Sequence, residues 1–243
     1  MTAQATRVVA IRHGQTDWNL ASRVQGHRNI GLNDTGRRQA QQVALALADE
    51  PFDAVYASDL DRARDTARAL ARHAGTELRL DSGLRERSFG VFEGLTYAEI
   101  EQRFHDAARR WRQRDAGFGP DGGETLRAFY ERAVGSVAAL AAHHRGQHIA
   151  VVTHGGVLDA LYRAAVRLPL EAPRPSDIAN ASINRLLASD DGLVVVGWND
   201  TCHLDAPAPH ESGDAGWRRR GRLEPQGMTG IPCAGRLCRR KLP

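Results

Sequence analysis

The apolar positions of this chain follow two periods. Short unbroken runs at 8–11 (VVAI), 54–57 (AVYA) and 149–152 (IAVV), with a shorter one at 78–80, read as strands buried on both faces. Helical spacing fills the intervals. Ala40, Val43, Ala44 and Leu47 stand at i, i+3, i+4 and i+7 and predict a helix over 35–48 with Thr35 as its cap. Ala63, Ala67, Leu70 and Ala71 share a face of a second helix, capped by Ser58 or Asp59. Residues 12–33 read as loop, and 95–124 as irregular with a charged helical piece near 97–114. An amphipathic helix is expected over about 125–142, carried by Leu126, Phe129, Tyr130, Ala133, Val137 and Leu140. Another follows near 156–167, then two more strands at 181–188 and 193–198. Strands alternating with amphipathic helices predict an α/β fold, a three-layer sandwich of a mostly parallel central sheet with helices on both faces.

Composition places the chain among ordinary globular proteins, with 42% hydrophobic and 26% charged residues in 243. That length buries a sizeable core without disulfides. Cys202, Cys233 and Cys238 are an odd set with no framework spacing. The first strand begins too early to leave room for a signal peptide, so a reducing cytoplasm is the expected setting. No apolar run approaches membrane-spanning length, and no membrane partner is expected.

Charge changes the picture at the C-terminus. Residues 207–243 hold eight basic and three acidic side chains, a net of +5, which leaves 1–206 at −1 within a total of +4. The body is near neutral, so the basicity does not argue for nucleic-acid binding by the folded part. With five prolines, six glycines and little periodicity, 207–243 is expected to be a disordered, solvated tail on a domain spanning 1–206. Cys233 and Cys238 stand too far apart for a zinc knuckle.

Two of the apolar runs end alike. Residues 8–11 lead into Arg12-His13-Gly14, and 149–152 lead through Thr153 into His154-Gly155-Gly156. Ligands of parallel α/β sheets bind at the carboxyl ends of the strands, and a glycine lets a ligand approach the backbone. Gly14 is expected to clear such space. Arg62 falls in the first turn of the helix after the second strand, where a helix N-terminus already favours anions. Glu86 follows the third strand in LRERSFGVFEG. Each has a plain reading alone: a structural histidine, a surface arginine, a loop glutamate paired with Arg85 or Arg87. Together, two arginines, two histidines and a carboxylate can neutralise a phosphate, supply a nitrogen nucleophile and protonate a leaving oxygen.

The blocks RHGQTDWN at 12–19, SDLDRARDTA at 58–67, LRERSFGVFEG at 84–94, PDGGET at 120–125 and VVTHGG at 151–156 stand in the order found in the histidine phosphatase superfamily, also called phosphoglycerate mutase-like. The chain resembles that family from residue 7 to about 204. The resemblance implies the phosphoglycerate mutase-like fold and a phosphohistidine formed on His13. Arg12, Arg62 and His154 would hold the phosphoryl oxygens. Glu86 would protonate the leaving group and then activate water. Asn19 and the backbone around Gln25, Gly26 and Gly155 would support the phosphate. The implied partner is a small phosphorylated metabolite. No metal or other cofactor is implied, because arginine and histidine take the place of Mg²⁺.

The segment between Gly94 and Glu124 has roughly thirty residues, enough for one helix and two ordinary loops. Cofactor-dependent mutases of the family carry a longer insertion there. PDGGET and WNDTCHL (198–204) are similar to the broad phosphatase branch, so hydrolysis of small phosphomonoesters is the favoured expectation. A 2,3-bisphosphoglycerate-dependent phosphoglycerate mutase is the alternative, and a non-catalytic phosphate-binding module a further one, opposed by the complete set of five residues. A metallohydrolase with His13 and His154 as ligands would need a closely spaced Asp-rich set, which is absent. Arg103, Arg109, Arg110, Arg112 and Arg114 around Trp111 read as a solvated helix face over a packed tryptophan, or as a lid binding a carboxylate or second phosphate.

Overall fold

A computed structural model describes residues 5–175 and 177–205, and the basic segment 207–243 lies outside them. Six strands make one sheet: β1 (Thr6–Arg12), β2 (Ala54–Ala57), β3 (Leu78–Leu80), β4 (His148–Thr153), β5 (Ile183–Ser189) and β6 (Gly192–Asp200). Their order is β3-β2-β4-β1-β5-β6. The first four run parallel, and β5 and β6 add an antiparallel hairpin at one edge.

Because side chains alternate across a strand, the continuous apolar runs feed two cores. Val8, Ala10, Ile149 and Val151 join the cluster that contains residues of α6 (Leu126–His143) and α7 (Gly155–Val166). Val9, Ile11, Ala150 and Val152 join the cluster of α2 (Asp34–Ala46) and α3 (Asp61–Ala74) on the other face. Burying each such Val or Ile contributes about 1.5–3 kcal/mol relative to exposure.

A third, smaller core contains no strand residue. Between β3 and α6 come α4 (Tyr97–Arg103) and α5 (His105–Arg112), and Val24, Phe92, Ile100, Ala108 and Phe118 pack together there with Phe104 and Trp111. The helical piece expected over 97–114 is therefore two helices. Phe104 breaks it, with φ −136° and ψ 49°, and its ring sits 5.5 Å from Phe92. A four-residue helix α1 (Asp17–Leu20) interrupts the loop expected over 12–33.

Two expected caps differ. Asn33 caps α2, its side chain accepting from the Gly36 amide at 2.8 Å, and Thr35 lies inside the helix. The residue before α3 is Leu60, which gives no side-chain cap. Ser58 instead meets His154, and Asp59 accepts from Arg85 Nε at 2.7 Å. Both polar residues are drawn off by tertiary partners. Among the described residues no helix is long and apolar enough to cross a membrane.

Candidate active site

The register of the sheet brings the two histidine ends together. Arg12 pairs with Thr153, and the His13 amide donates to the Thr153 carbonyl at 2.9 Å. The His13 and His154 rings then lie 5.1 Å apart, centre to centre. His13 Nδ1 is 2.7 Å from the carbonyl oxygen of Gly14. A carbonyl only accepts, so Nδ1 carries the proton and Nε2 keeps a free lone pair. Burial, reinforced by the positive charges of Arg62 and Arg12, pushes the His13 imidazole well below its ordinary pKa. The ring is neutral at physiological pH, as a nitrogen nucleophile must be.

Arg62 is fully buried and held by two carbonyls, with Nη1 donating to Arg28 and Nη2 to Gly26, each at 2.8 Å. The surface reading of Arg62 is excluded. Arg12 Nη1 donates to the Ile178 carbonyl. Burial lowers the pKa of both guanidiniums, Arg62 to about 10, which leaves Arg62 a cation near neutrality. Arg12 Nε, Arg62 Nε and His154 Nδ1 are buried without a hydrogen-bond partner in the protein. Unpaired buried polar nitrogens are costly and rare. Arg12 and Arg62 line one cavity with Gly155 at the N-terminus of α7, and His154 is the cap of that helix, an arrangement suited to an oxyanion.

Glu86 is held on both carboxylate oxygens by backbone amides, Arg87 at 2.8 Å and Gly156 at 3.0 Å. Its expected partners turn elsewhere: Arg85 goes to Asp59, and Arg87 to the carbonyls of Phe118 and Glu124. The Glu86 carbonyl accepts from His27 Nε2 at 2.8 Å and Arg132 Nη2 at 3.2 Å. Arg132 in turn makes two 2.8 Å bonds to Glu124, whose Oε2 also accepts from the Ser88 amide. PDGGET thus braces the Glu86 loop through Glu124. The second glycine after His154 has a specific cause: a Cβ on Gly156 would lie 2.1 Å from Glu86 Oε1.

The remaining expected residues divide. Asn19, Gln25, Gly26 and Gly155 all line the same cavity as His13, Arg12, Arg62 and Glu86. Asn19 also spends Oδ1 on the amide and hydroxyl of Thr16. Gly26 serves Arg62 through its carbonyl. Gly14 does not behave as expected. A Cβ there would lie 2.5 Å from the Gly36 carbonyl oxygen, so it permits close approach of α2 rather than of a ligand.

Sequence reasoning missed the supports. Thr66 accepts from the Gly14 amide at 3.0 Å and donates to the Arg62 carbonyl at 2.7 Å, tying the two halves of the cradle. Asn180 donates to the His13 carbonyl at 3.1 Å. WNDTCHL gains a role here: Asn199 Oδ1 accepts from the Ala179 amide at 2.8 Å, and His203 donates to the Ala181 carbonyl at 3.0 Å. These bonds fix the loop that carries Ile178 and Asn180. Position in a quoted block was the only signal for Thr66, Asn199 and His203, and nothing in the sequence pointed to Asn180.

The cavity has a volume of about 740 Å³. Phe89, Tyr97 and Trp111 line it, with Tyr97 and Trp111 stacked at 5.1 Å and an interplanar angle of 9°. The arginines around Trp111 split between the two readings. Arg109 and Arg110 are on the exposed side, paired with Asp106 and Asp115. Arg112 and Arg114 line the cavity. Among the described residues no group of three or more His, Cys, Asp or Glu is placed to hold a metal ion.

Such a cavity suits the transfer of a tetrahedral oxyanion group at the carboxyl edge of an α/β sheet. The chain belongs to the histidine phosphatase superfamily, branch 1, whose family model matches residues 8–201. It is 38% identical over 219 residues to phosphoglycerate mutase-like protein 4 of Arabidopsis thaliana, covering 88% of this chain and 94% of that one. It is 34% identical to the metal-independent phosphoserine phosphatase of the same plant, covering 84% and 85%. The structure of mycobacterial glucosyl-3-phosphoglycerate phosphatase in complex with VO3 superposes with a TM-score of 0.73 at 35% identity, covering 80% of this chain and 99% of that one.

Proposed function

We propose that this chain hydrolyses small phosphomonoesters through a phosphohistidine on His13. One observation carries the reading: the Nδ1 bond to Gly14 leaves Nε2 of a neutral, buried imidazole as a lone pair beside two guanidiniums. Nε2 attacks phosphorus and the ester oxygen leaves with a proton from the Glu86 carboxyl group. Arg12, Arg62 and His154 Nδ1–H bind the non-bridging oxygens, where charge is spread in a loose transition state. Glu86, now a carboxylate, takes a proton from water as its oxygen attacks the phosphohistidine, which returns His13 and releases phosphate. Each proton transfer is worth about 10²–10⁴ in rate. Asn19, Gln25 and Gly155 line the phosphoryl end of this reading. Phosphatases among the relatives support it.

The catalytic unit is assigned to 1–206, acting in the cytoplasm on small metabolites and not on nucleic acid. A chain ending after Asp205 should retain turnover. The likeness to a mutase-like protein favours one second reading, phosphoglycerate mutase activity primed by 2,3-bisphosphoglycerate. The test is turnover of 3-phosphoglycerate and p-nitrophenyl phosphate in EDTA, with and without the bisphosphate, alongside His13→Ala. Phosphate release without 2-phosphoglycerate, lost in the variant, supports the hydrolase. Rapid 2-phosphoglycerate formation that needs the bisphosphate supports the mutase. Release that persists in His13→Ala overturns both.

A further inference from the structure

Four consecutive carbonyls, from Gly83 to Glu86, each accept a hydrogen bond from a side chain. Thr153 Oγ1 donates to Leu84 at 2.8 Å. The other three carbonyls meet one guanidinium. Arg132 Nη1 donates to Gly83 at 2.9 Å and to Arg85 at 3.0 Å, and Nη2 to Glu86 at 3.2 Å. Its remaining N–H groups go to Glu124, Nε to Oε1 and Nη2 to Oε2, each at 2.8 Å. A guanidinium has five N–H donors. Arg132 spends all of them on the loop that carries the proton donor and on the residue that holds its far side.

Glu124 completes the hold. Its Oε2 accepts from the Ser88 amide at 2.8 Å, and its own amide donates to the Ser88 carbonyl at 3.0 Å. The backbone is therefore fixed up to Glu86 by Arg132 and again two residues later by its partner. The guanidinium is itself anchored, 5.3 Å from the centre of the Phe129 ring, and Phe129 is buried in the core beneath α6. Ser136, four residues on and so on the same helix face, stands against the loop as well. A Cβ on Gly83 would lie 2.1 Å from its Oγ. The phosphoryl cradle is held from elsewhere: His13 by Gly14, Thr153 and Asn180, Arg12 by Ile178, Arg62 by Gly26 and Arg28. Arg132 is not among the residues that line the cavity.

We infer that Arg132 is a positioning residue for the proton donor, acting through the backbone of Glu86 and not on the phosphoryl group. The inference rests on the hydrolase reading above. A lysine at this position keeps the charge, but its donors radiate from one nitrogen and cannot reproduce a planar fork that reaches three carbonyls and a carboxylate. Its loss should impair proton donation and spare phosphate binding. A misplacement of about 1 Å at a catalytic group costs on the order of 10²-fold in rate.

The experiment compares phenyl phosphate with p-nitrophenyl phosphate. The two share a ring, but phenolate is the more basic leaving group and gains more from a proton as it departs. Phosphate release gives kcat/KM for wild type, Arg132→Lys, Arg132→Gln, Glu86→Gln and the double variant Glu86→Gln with Arg132→Lys, each with a thermal melt. Arg132→Lys should lower kcat/KM for phenyl phosphate by about tenfold or more, and for p-nitrophenyl phosphate by clearly less. Once Glu86→Gln has removed the donor, Arg132→Lys should cost nothing further on phenyl phosphate, because the two changes remove the same step. Equal losses on both substrates, losses that multiply in the double variant, or wild-type kinetics in Arg132→Lys would each overturn the inference. If neither Arg132 variant folds, Glu124→Gln decides by the same ratio and the same cycle. Wild type active on p-nitrophenyl phosphate alone would have no working donor for Arg132 to place, which overturns the inference and leaves the His13 chemistry standing. Failure on both substrates overturns the hydrolase reading itself.

Discussion

Nε2 of His154 lies 2.9 Å from Oγ of Ser58, and both residues are fully buried. Burial, then the charge of Arg62, keeps His154 neutral by pushing its pKa well below the ordinary value. A neutral imidazole has one N–H. If Ser58 donates its hydroxyl proton to Nε2, that N–H is placed on Nδ1, the nitrogen without a partner in the cradle. Ser58→Ala should therefore lower kcat/KM by about 5–100-fold, the range for losing one such bond, and lower Tm as well, because His154 Nε2 is left buried without a partner. Steady-state kinetics beside a thermal melt checks this. Wild-type kinetics in the variant would mean that the bond does not set the tautomer.

The two site histidines also set a pH dependence of stability. Both have pKa values pushed down in the folded state, mainly by burial. Below the unfolded value near 6.5, the unfolded chain binds protons that the folded chain refuses. Their contribution is complete above pH 6.5 and is lost as pH falls below it. Urea midpoints in an anion-poor buffer should drop from pH 7.5 to 5.0, above the range where most carboxylates titrate. His13→Asn should flatten that slope. An equal slope in wild type and variant would remove His13 from the account.

The fold was legible because its strongest signals are local. The runs 8–11, 54–57 and 149–152 could be little else, and β2 (Ala54–Ala57) falls on its expected boundaries. What was not legible is what depends on contacts across the chain. Ser58 and Asp59 have cap chemistry, yet His154 and Arg85 take them. Phe104 looks helical until Phe92 is placed beside it. Gly14 looks like room for a ligand, and only the position of Gly36 shows otherwise. At the site, His13, Arg12, Arg62, Glu86 and His154 all stand in the sequence blocks; the first four line one cavity, and the His154 ring lies 5.1 Å from that of His13. Asn180, which donates to the His13 carbonyl, was not legible, because an asparagine in a loop carries no pattern.

Glu86 should matter in proportion to the leaving group. An alkoxide needs a proton as it departs, whereas p-nitrophenolate does not. Glu86→Gln should lower kcat/KM for an alkyl phosphate by about 10²–10⁴-fold, the usual worth of general acid catalysis, and far less for p-nitrophenyl phosphate. The ratio kcat/KM reports only steps through formation of the phosphohistidine, so the later role of Glu86 with water does not enter. Equal losses on the two substrates would assign Glu86 to binding instead.

Two glycines to alanine should separate function from stability. In Gly156→Ala the new methyl group would lie 2.1 Å from Glu86 Oε1. Either the carboxylate or the start of α7 must move, and the Gly156 amide that holds Glu86 Oε2 at 3.0 Å moves with it. The expected loss in kcat/KM is about tenfold or more, since small misplacements of catalytic groups are costly. Gly135 lies inside α6 with nothing within 4 Å of the added methyl. There the gain is alanine's helix preference, about 0.5–1 kcal/mol, or roughly 1–4 °C in Tm for a chain of this size. Kinetics and melts of both variants check the pair. If Gly156→Ala keeps wild-type turnover, the two amide bonds do not hold Glu86 in place for catalysis. If Gly135→Ala melts below wild type, α6 is not free to accept the methyl group.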